Sequence, residues 1–247
     1  MSAASVSVVI PAYNEEERLP PSLERVAEYL RARPKREAEI VVVNDGSSDR
    51  TAEVARQAAE RLTGGNVRVR VLDNPGNKGK GYSVRHGMRK AECEWALFTD
   101  ADLSSPIEEL DKLTEAVESG AYEVAFGSRA LDRSLVGKHQ PMLREIAGRS
   151  FNLCVRLGAG LPYKDTQCGF KLFSRRAAQA VFAKQRMDGF GFDVEILFLA
   201  RKLGFPAVEV PVRWFDAEGS KVSTLNGLNA FLDIIRVRCN DLLGRYS

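Results

Sequence analysis

Apolar and polar positions in the first half of the chain alternate between two periods. Runs rich in Val, Ile, Leu and Phe occupy Val6–Ile10, Ile40–Val43, Val67–Leu72, Trp95–Thr99 and Val124–Phe126. Between them, Leu23–Arg31, Thr51–Leu62, Tyr82–Lys90 and Ile107–Val117 place apolar residues every three or four positions. The first pattern predicts strands covered on both faces, the second amphipathic helices. Their regular alternation predicts an α/β fold with a central, mostly parallel sheet flanked by helices. Helix-start signals agree. Ser47, Ser48 and Asp49 precede the second helix; Ser104, Ser105 and Pro106 precede the fourth, whose first turn carries Glu108 and Glu109.

From Leu131 onward the pattern loosens. Leu131–Pro141 reads as a loop, Met142–Leu157, Arg175–Ala183 and Phe192–Leu203 as helices, and Ala207–Trp214 as a strand. Leu225–Leu243 is an amphipathic helix with Leu228, Phe231, Leu232, Ile235 and Leu242 on one side and Arg236, Arg238 and Arg245 nearby. Such a helix either packs on the sheet or lies on an anionic membrane surface. No repeat, low-complexity tract or linker divides the chain, so residues 1–247 are expected to form a single domain.

Composition narrows the chemistry. The 247 residues carry a net charge of +3 and 28% charged side chains. No zinc-finger spacing, RNP-type motif or long basic run is present, so nucleic acid is not an expected partner. The four cysteines form no CxxC pair and read as reduced thiols. With only two histidines, carboxylates become the default chemistry. Strand-like residues begin by Val6, which predicts no signal peptide, and no apolar run approaches the roughly 18–20 residues of a membrane span.

In open α/β sheets, ligands sit beyond the carboxyl ends of the strands. The five predicted strands end in Pro11–Glu15, Asn44–Ser47, Asn74–Gly81, Asp100–Asp102 and Gly127–Arg129, all polar, acidic or glycine-rich. The third loop, PGNKGKGYS, lacks both the Lys-Ser/Thr ending of a Walker A loop and the third glycine of a dinucleotide fingerprint. Its Lys78 and Lys80 suit an anion or a nucleotide, or belong to a flexible basic turn. Asp100 and Asp102 close an apolar strand. On extended backbone, residues i and i+2 share a side, so both are expected to face one pocket, where like charges call for a cation between them. Hard oxygen ligands suit Mg²⁺ or Mn²⁺ shared with a substrate diphosphate.

Taken together, PAYNEE, VVNDGSSD, the NKGKG loop and FTDADLSSP resemble family-2 glycosyltransferases of the GT-A fold, a Rossmann-like nucleotide-diphospho-sugar transferase architecture. Gly127–Arg129, DTQCGFKLF at Asp165–Phe173, FDVEIL at Phe192–Leu197 and VPVRW at Val210–Trp214 narrow the likeness to polyprenyl-phosphate sugar synthases, the dolichyl-phosphate β-glucosyltransferase branch above the mannose synthases. The resemblance implies that residues up to about 130 bind the nucleotide sugar and the rest the acceptor. It implies that Pro11, Tyr13, Glu15, Asp45, Lys78, Lys80, Asp100, Ala101 and Lys221 hold the donor and that Asp102, with Ser104 beside it, binds the metal. Arg129, Arg144 and Arg149 would take the acceptor phosphate, although each reads equally as part of a solvated face. Asp165 matches a proposed catalytic base or else orients an arginine or the sugar hydroxyls, a task Glu195 could share. The implied reaction is inverting transfer of glucose from UDP-glucose to a polyprenyl phosphate, by an enzyme lying peripherally on the cytoplasmic membrane face. GDP-mannose or a soluble acceptor, and a non-catalytic nucleotide-sugar binder, are the other readings.

Overall fold

A computed structural model describes residues 4–118, 120–137, 155–156, 158–215 and 224–246, with side chains of the last stretch described from Leu232 onward. Seven strands form one sheet: β1 (Val6–Ala12), β2 (Ala38–Asn44), β3 (Val67–Asp73), β4 (Trp95–Thr99), β5 (Val124–Ser128), β6 (Phe170–Ser174) and β7 (Ala207–Pro211). Their order is β3-β2-β1-β4-β6-β5-β7. β1 runs parallel to β2 and β4, β2 to β3, and β5 to β7. β6 lies antiparallel between β4 and β5, with Leu97 opposite Leu172 and Ala125 opposite the same residue. The described helices are α1 (Leu19–Arg31), α2 (Thr51–Leu62), α3 (Lys80–Lys90), α4 (Leu110–Glu118), α5 (Arg175–Lys184), α6 (Phe192–Lys202) and α7 (Thr224–Leu242).

The strand period of two sorts the core into two layers. Val8, Ile10, Ile40, Val42, Leu97 and Leu172 face α1, α2 and α4, where they meet Leu23, Ala55 and Leu113. Val9, Val41, Val43, Phe98, Phe126 and Phe173 face α3, α5 and α6, against Val84, Phe182 and Ile196. Buried on both sides, these strands read as continuous apolar runs for the reason the sequence suggested.

Three boundaries differ from expectation. α1 starts at Leu19 rather than Leu23, because Pro20 and Pro21 fall in its first turn, where a missing N–H costs nothing. The last strand ends at Pro211; Trp214 makes only an isolated parallel bridge to Val136. β6 was not anticipated at all. The helix expected over Met142–Leu157 lies almost wholly outside the described residues.

α7 also carries a correction about its faces. Asp233, Ile234 and Val237 are buried, whereas Leu232, Ile235 and Leu242 are 50%, 60% and 81% exposed. In its described part, therefore, the stripe that the sequence singles out points to solvent, and a neighbouring face packs on the core. No described helix is long and apolar enough to cross a membrane.

Candidate active site

The loops after β1 and β2 are stitched into one rim. Asn14, held at a φ of 54°, accepts from the Ser48 N–H and donates its own N–H to Ser47 Oγ. Glu15 N–H donates to Thr51 Oγ1, Glu16 N–H to Asp49, and Asp49 in turn accepts from Thr51 N–H. The Ser47–Asp49 stretch thus does more than cap α2: it fixes the height of the first loop. Glu15 spends its carboxylate on Arg18 at 2.7 and 2.8 Å. Tyr13 stands 41% exposed on this rim, and Pro11 is still within β1, paired in register with Val43.

Asp45 is engaged by the glycine-rich loop. Its buried carboxylate accepts from the N–H groups of Lys78 (3.0 Å) and Gly79 (2.8 Å) and from Asn74 Nδ2 (2.7 Å). Three donors use up most of a carboxylate's capacity, so Asp45 shapes the glycine-rich loop from behind. Gly79, at φ 100°, has no room for a side chain: a Cβ would lie 2.5 Å from the Asp188 carbonyl oxygen. That carbonyl accepts from Gly81 N–H at 2.7 Å, which fixes where α3 begins.

Lys80, in the first turn of α3, reaches the acidic edge, where its ammonium pairs with Asp100 at 2.6 Å. Burial works against that charge, but Asp100 first, then Asp193 and Asp102, hold Lys80 above the usual lysine value. The backbone that carries the two carboxylates is a turn and not the extended strand expected. β4 ends at Thr99, and residues 100–103 form a turn closed by Leu103 N–H on the Asp100 carbonyl (3.1 Å), with Leu103 at φ 48°. Ala101 is buried beneath this turn. Ser104 N–H donates to Asp102 Oδ1 at 2.9 Å, so Ser104 buttresses that carboxylate through its backbone. Gly169 leaves the space into which Asp100 leans: a Cβ there would sit 2.3 Å from Oδ2.

The cation that the acidic pair calls for is, here, the Lys80 ammonium. A divalent ion still suits the donor set, because Asp100 and Asp102 are hard oxygen ligands that also attract a cation. Among the described residues no group of three or more His, Cys, Asp and Glu could hold a metal. An ion at Asp102 would therefore complete its shell with water and substrate oxygens.

Two residues that sequence reasoning passed over join this edge. Lys171 in β6 is wholly buried and forms an ion pair with Asp193 in the first turn of α6, while donating to the Cys168 carbonyl at 2.7 Å. Burial pushes the Asp193 carboxyl upward, against the pull of Lys171 and Lys80. Their signal was available: a lysine inside FKLF and an aspartate inside FDVEIL interrupt apolar runs and are costly unless paired.

Beside them, Asp165 accepts from Arg129 three times, from its N–H (3.0 Å), Nε (2.6 Å) and Nη2 (2.9 Å), and once from Gln167 N–H (3.1 Å). Arg129 also lies over the Trp214 ring, 5.5 Å from its centre. Burial raises the Asp165 carboxyl, but the Arg129 charge and hydrogen bonds outweigh it and hold the group below the usual carboxylate range. A carboxylate so engaged is a poor proton acceptor, so of its two expected roles the geometry favours orienting an arginine. Because its folded-state pKa is lowered, the pair's contribution to stability is whole above about pH 4 and lost as pH falls through the lowered value. Asp165→Asn should thus be least stable relative to the parent near neutral pH, the gap closing below about pH 4 in denaturant titrations at stepped pH.

Glu195, the other residue expected to orient the sugar, is engaged by backbone and tyrosine donors. Its fully buried carboxylate accepts from the Arg186 and Met187 N–H groups and from Tyr246 Oη. It clamps the 186–190 loop to the C-terminal residues. Arg144, Arg149 and Lys221 lie outside the described residues.

Comparison with known proteins follows the same outline. The profile described as "Glycosyl transferase family 2" matches residues 7–182. A dolichyl-phosphate beta-glucosyltransferase of Trichomonas vaginalis is 35% identical over 240 residues, 94% of this chain and 72% of that protein. The Drosophila melanogaster dolichyl-phosphate beta-glucosyltransferase is 40% identical, over 88% of this chain and 69% of its own. Among solved structures, mannosyl-3-phosphoglycerate synthase from Rubrobacter xylanophilus superposes with a TM-score of 0.69 at 17% identity, over 98% of this chain and 75% of its own. A Pyrobaculum calidifontis mannosyltransferase in complex with GDP-Man and Mn²⁺ gives 0.60 at 18% identity, over 88% of this chain, which spans 58% of its length. At those identities the two structures speak for the fold alone.

Proposed function

Because this chain belongs to glycosyl transferase family 2, we propose that it is an inverting, divalent-metal-dependent glucosyltransferase. It moves glucose from UDP-glucose to a polyprenyl, dolichyl-type phosphate at the cytoplasmic membrane face. The observation that carries this reading is that two kinds of anion-handling group share one sheet edge. Lys80, Asp100 and Asp102 form an acidic edge with its own cation, and Arg129, fixed by Asp165, senses the same Asp193 that Lys80 does. The relatives' names, each a dolichyl-phosphate beta-glucosyltransferase, support the donor sugar and the acceptor class.

In this mechanism Asp102, with Asp100 beside it, would hold Mg²⁺ or Mn²⁺, and the ion would neutralise the charge growing on the departing diphosphate. Lys80 adds a second positive charge on that side. The acceptor phosphate, its second pKa near about 6, is already largely dianionic at neutral pH. Arg129, planar and bidentate, presents it. A phosphate oxygen attacks the anomeric carbon from the face opposite the diphosphate, the bond from that carbon to the β-phosphate oxygen breaks, and UDP leaves with the electron pair. No general base is required, consistent with an Asp165 carboxylate already committed to Arg129. Leu232, Ile235 and Leu242, exposed on α7 with Arg236, Arg238 and Arg245 around them, support peripheral contact with an anionic bilayer.

One assay tests the reading: purified protein with UDP-glucose or GDP-mannose, polyprenyl phosphate in vesicles, and Mn²⁺, Mg²⁺ or EDTA. Lipid-linked glucose formed only with metal is the expected result. Mannose transfer, transfer to a soluble acceptor, or nucleotide binding without turnover would each replace it. Gly169→Ala adds a local test. The new methyl group displaces only the end of the Asp100 side chain, so stability should hold within about 1 kcal/mol. Nucleotide affinity, read by calorimetry, should fall about tenfold through the disturbed charge-assisted contact.

A further inference from the structure

Away from the acidic edge, a cleft of about 930 Å³ opens between the 186–190 loop and the C-terminal part of α7. Three arginines line it, Arg186 from the loop, Arg236 from α7 and Arg245 just beyond the helix, together with Phe190. All four are exposed. The cleft's acidic residues are already engaged: Asp188 pairs with Arg85 of α3 at 2.8 Å, and Asp233 with Arg236 at 2.8 Å. Arg186 donates to the Arg245 backbone carbonyl at 3.3 Å and Arg245 to Asn240 Oδ1 at 2.9 Å, which ties the loop to the residues that follow α7. The volume falls in the range of small-ligand sites, and arginine forks match phosphate oxygens two at a time.

Phe190 is an exposed apolar group at the cleft's wall, and Ile235 and Leu242 are exposed on the same helix that supplies Arg236. A ligand that satisfies both surfaces has an anionic head and an apolar tail. We infer that the cleft between the 186–190 loop and α7 is a binding site for the phosphate headgroup of a lipid, separate from the Arg129 site. The inference rests on the membrane-surface reading above and goes beyond it by naming the headgroup and its residues. It also links lipid to chemistry. The loop that walls the cleft is the one whose Asp188 carbonyl receives Gly81 N–H and whose carboxylate grips Arg85, so a bound headgroup bears on the turn that carries Lys80.

The test is vesicle co-sedimentation of the full chain. Vesicles are phosphatidylcholine alone, phosphatidylcholine with a minor fraction of phosphatidylglycerol, or phosphatidylcholine with polyprenyl phosphate. The double variant Arg186→Gln/Arg245→Gln should lose at least about tenfold in affinity for one or both phosphate-bearing mixtures. Arg186→Lys/Arg245→Lys should recover part of it, and thermal melting should be unchanged throughout. Loss on phosphatidylglycerol identifies bulk anionic lipid as the source of the headgroup; loss on polyprenyl phosphate alone identifies the acceptor. Removing two exposed arginines elsewhere, Arg25→Gln/Arg61→Gln, is the control for diffuse charge. Equal losses in the two double variants, or no preference of the parent protein for either phosphate mixture over phosphatidylcholine alone, would overturn the assignment. Because the readout is binding, it stands or falls independently of glucose transfer.

Discussion

Asp102→Asn should reduce turnover by about 10³-fold or more while leaving the melting temperature essentially in place. The amide keeps the shape of the carboxylate and can still accept from Ser104 N–H, the bond that Asp102 makes at 2.9 Å. What it loses is the formal charge that would hold a divalent ion against a diphosphate. Asp102 is only half-buried and lies in a turn rather than in a strand, so no packing depends on that charge. Turnover measured across a Mn²⁺ titration, alongside thermal melting, separates the possibilities. A right-shifted metal dependence with a depressed maximum is the expected pattern; undiminished turnover would remove Asp102 from metal binding.

The largest effect on stability should come from Lys171→Met. It leaves the Asp193 carboxylate, itself buried, without its cation, and breaking one side of a buried pair costs about 3–5 kcal/mol. For a chain of this size each kcal/mol lowers the melting temperature by roughly 2–4 °C. The double variant Lys171→Met/Asp193→Leu should recover most of that loss, because replacing both partners removes the unpaired charge. A sign argument adds a second readout. Without Lys171, burial raises the folded-state pKa of Asp193 far above its unfolded value of about 3.9. Stability is then whole at low pH and lost as pH rises through the folded value, so acidification should narrow the deficit of the single variant. A deficit that stays constant from acid to neutral pH would mean that Asp193 is not left charged and unpaired.

Much of the frame was readable because strands buried on both faces have no choice but to be apolar. β1, β2, β4 and β5 and the helices between them follow from that constraint, and so does the edge at which Lys80, Asp100 and Asp102 meet. What periodicity could not provide was direction. The stripe Leu232, Ile235 and Leu242 is plain in the sequence, but its outward aim depends on Asp233 fitting against Gly191, where a Cβ would meet the carboxylate at 2.4 Å. Turn geometry was equally hidden. Asp100 and Asp102 both act on Lys80, but they sit in a turn with a left-handed Leu103 that an i, i+2 argument cannot supply. β6 is hard to read because the lysine near its start disguises a buried strand, and that lysine makes sense only once it is paired with Asp193. Asp45 and Glu195 show a related limit: that a conspicuous acid in a motif also holds the backbone of a neighbouring loop cannot be read from the motif.

β6 runs against its two neighbours in the sheet. Every other strand sends its end toward the same sheet edge, whereas β6 begins there, so the single stretch Asp165–Lys171 runs between the turn after β4 that carries Asp100 and the turn after β5 that carries Arg129. Its Lys171 and Phe173 belong to one core layer and its Phe170 and Leu172 to the other. Sliding that strand by a single residue would exchange the layers and drive an ammonium into hydrocarbon. The turns after β4 and β5 are consequently locked in step along the strand direction, and any movement of one against the other must be carried by the loops on either side of β6.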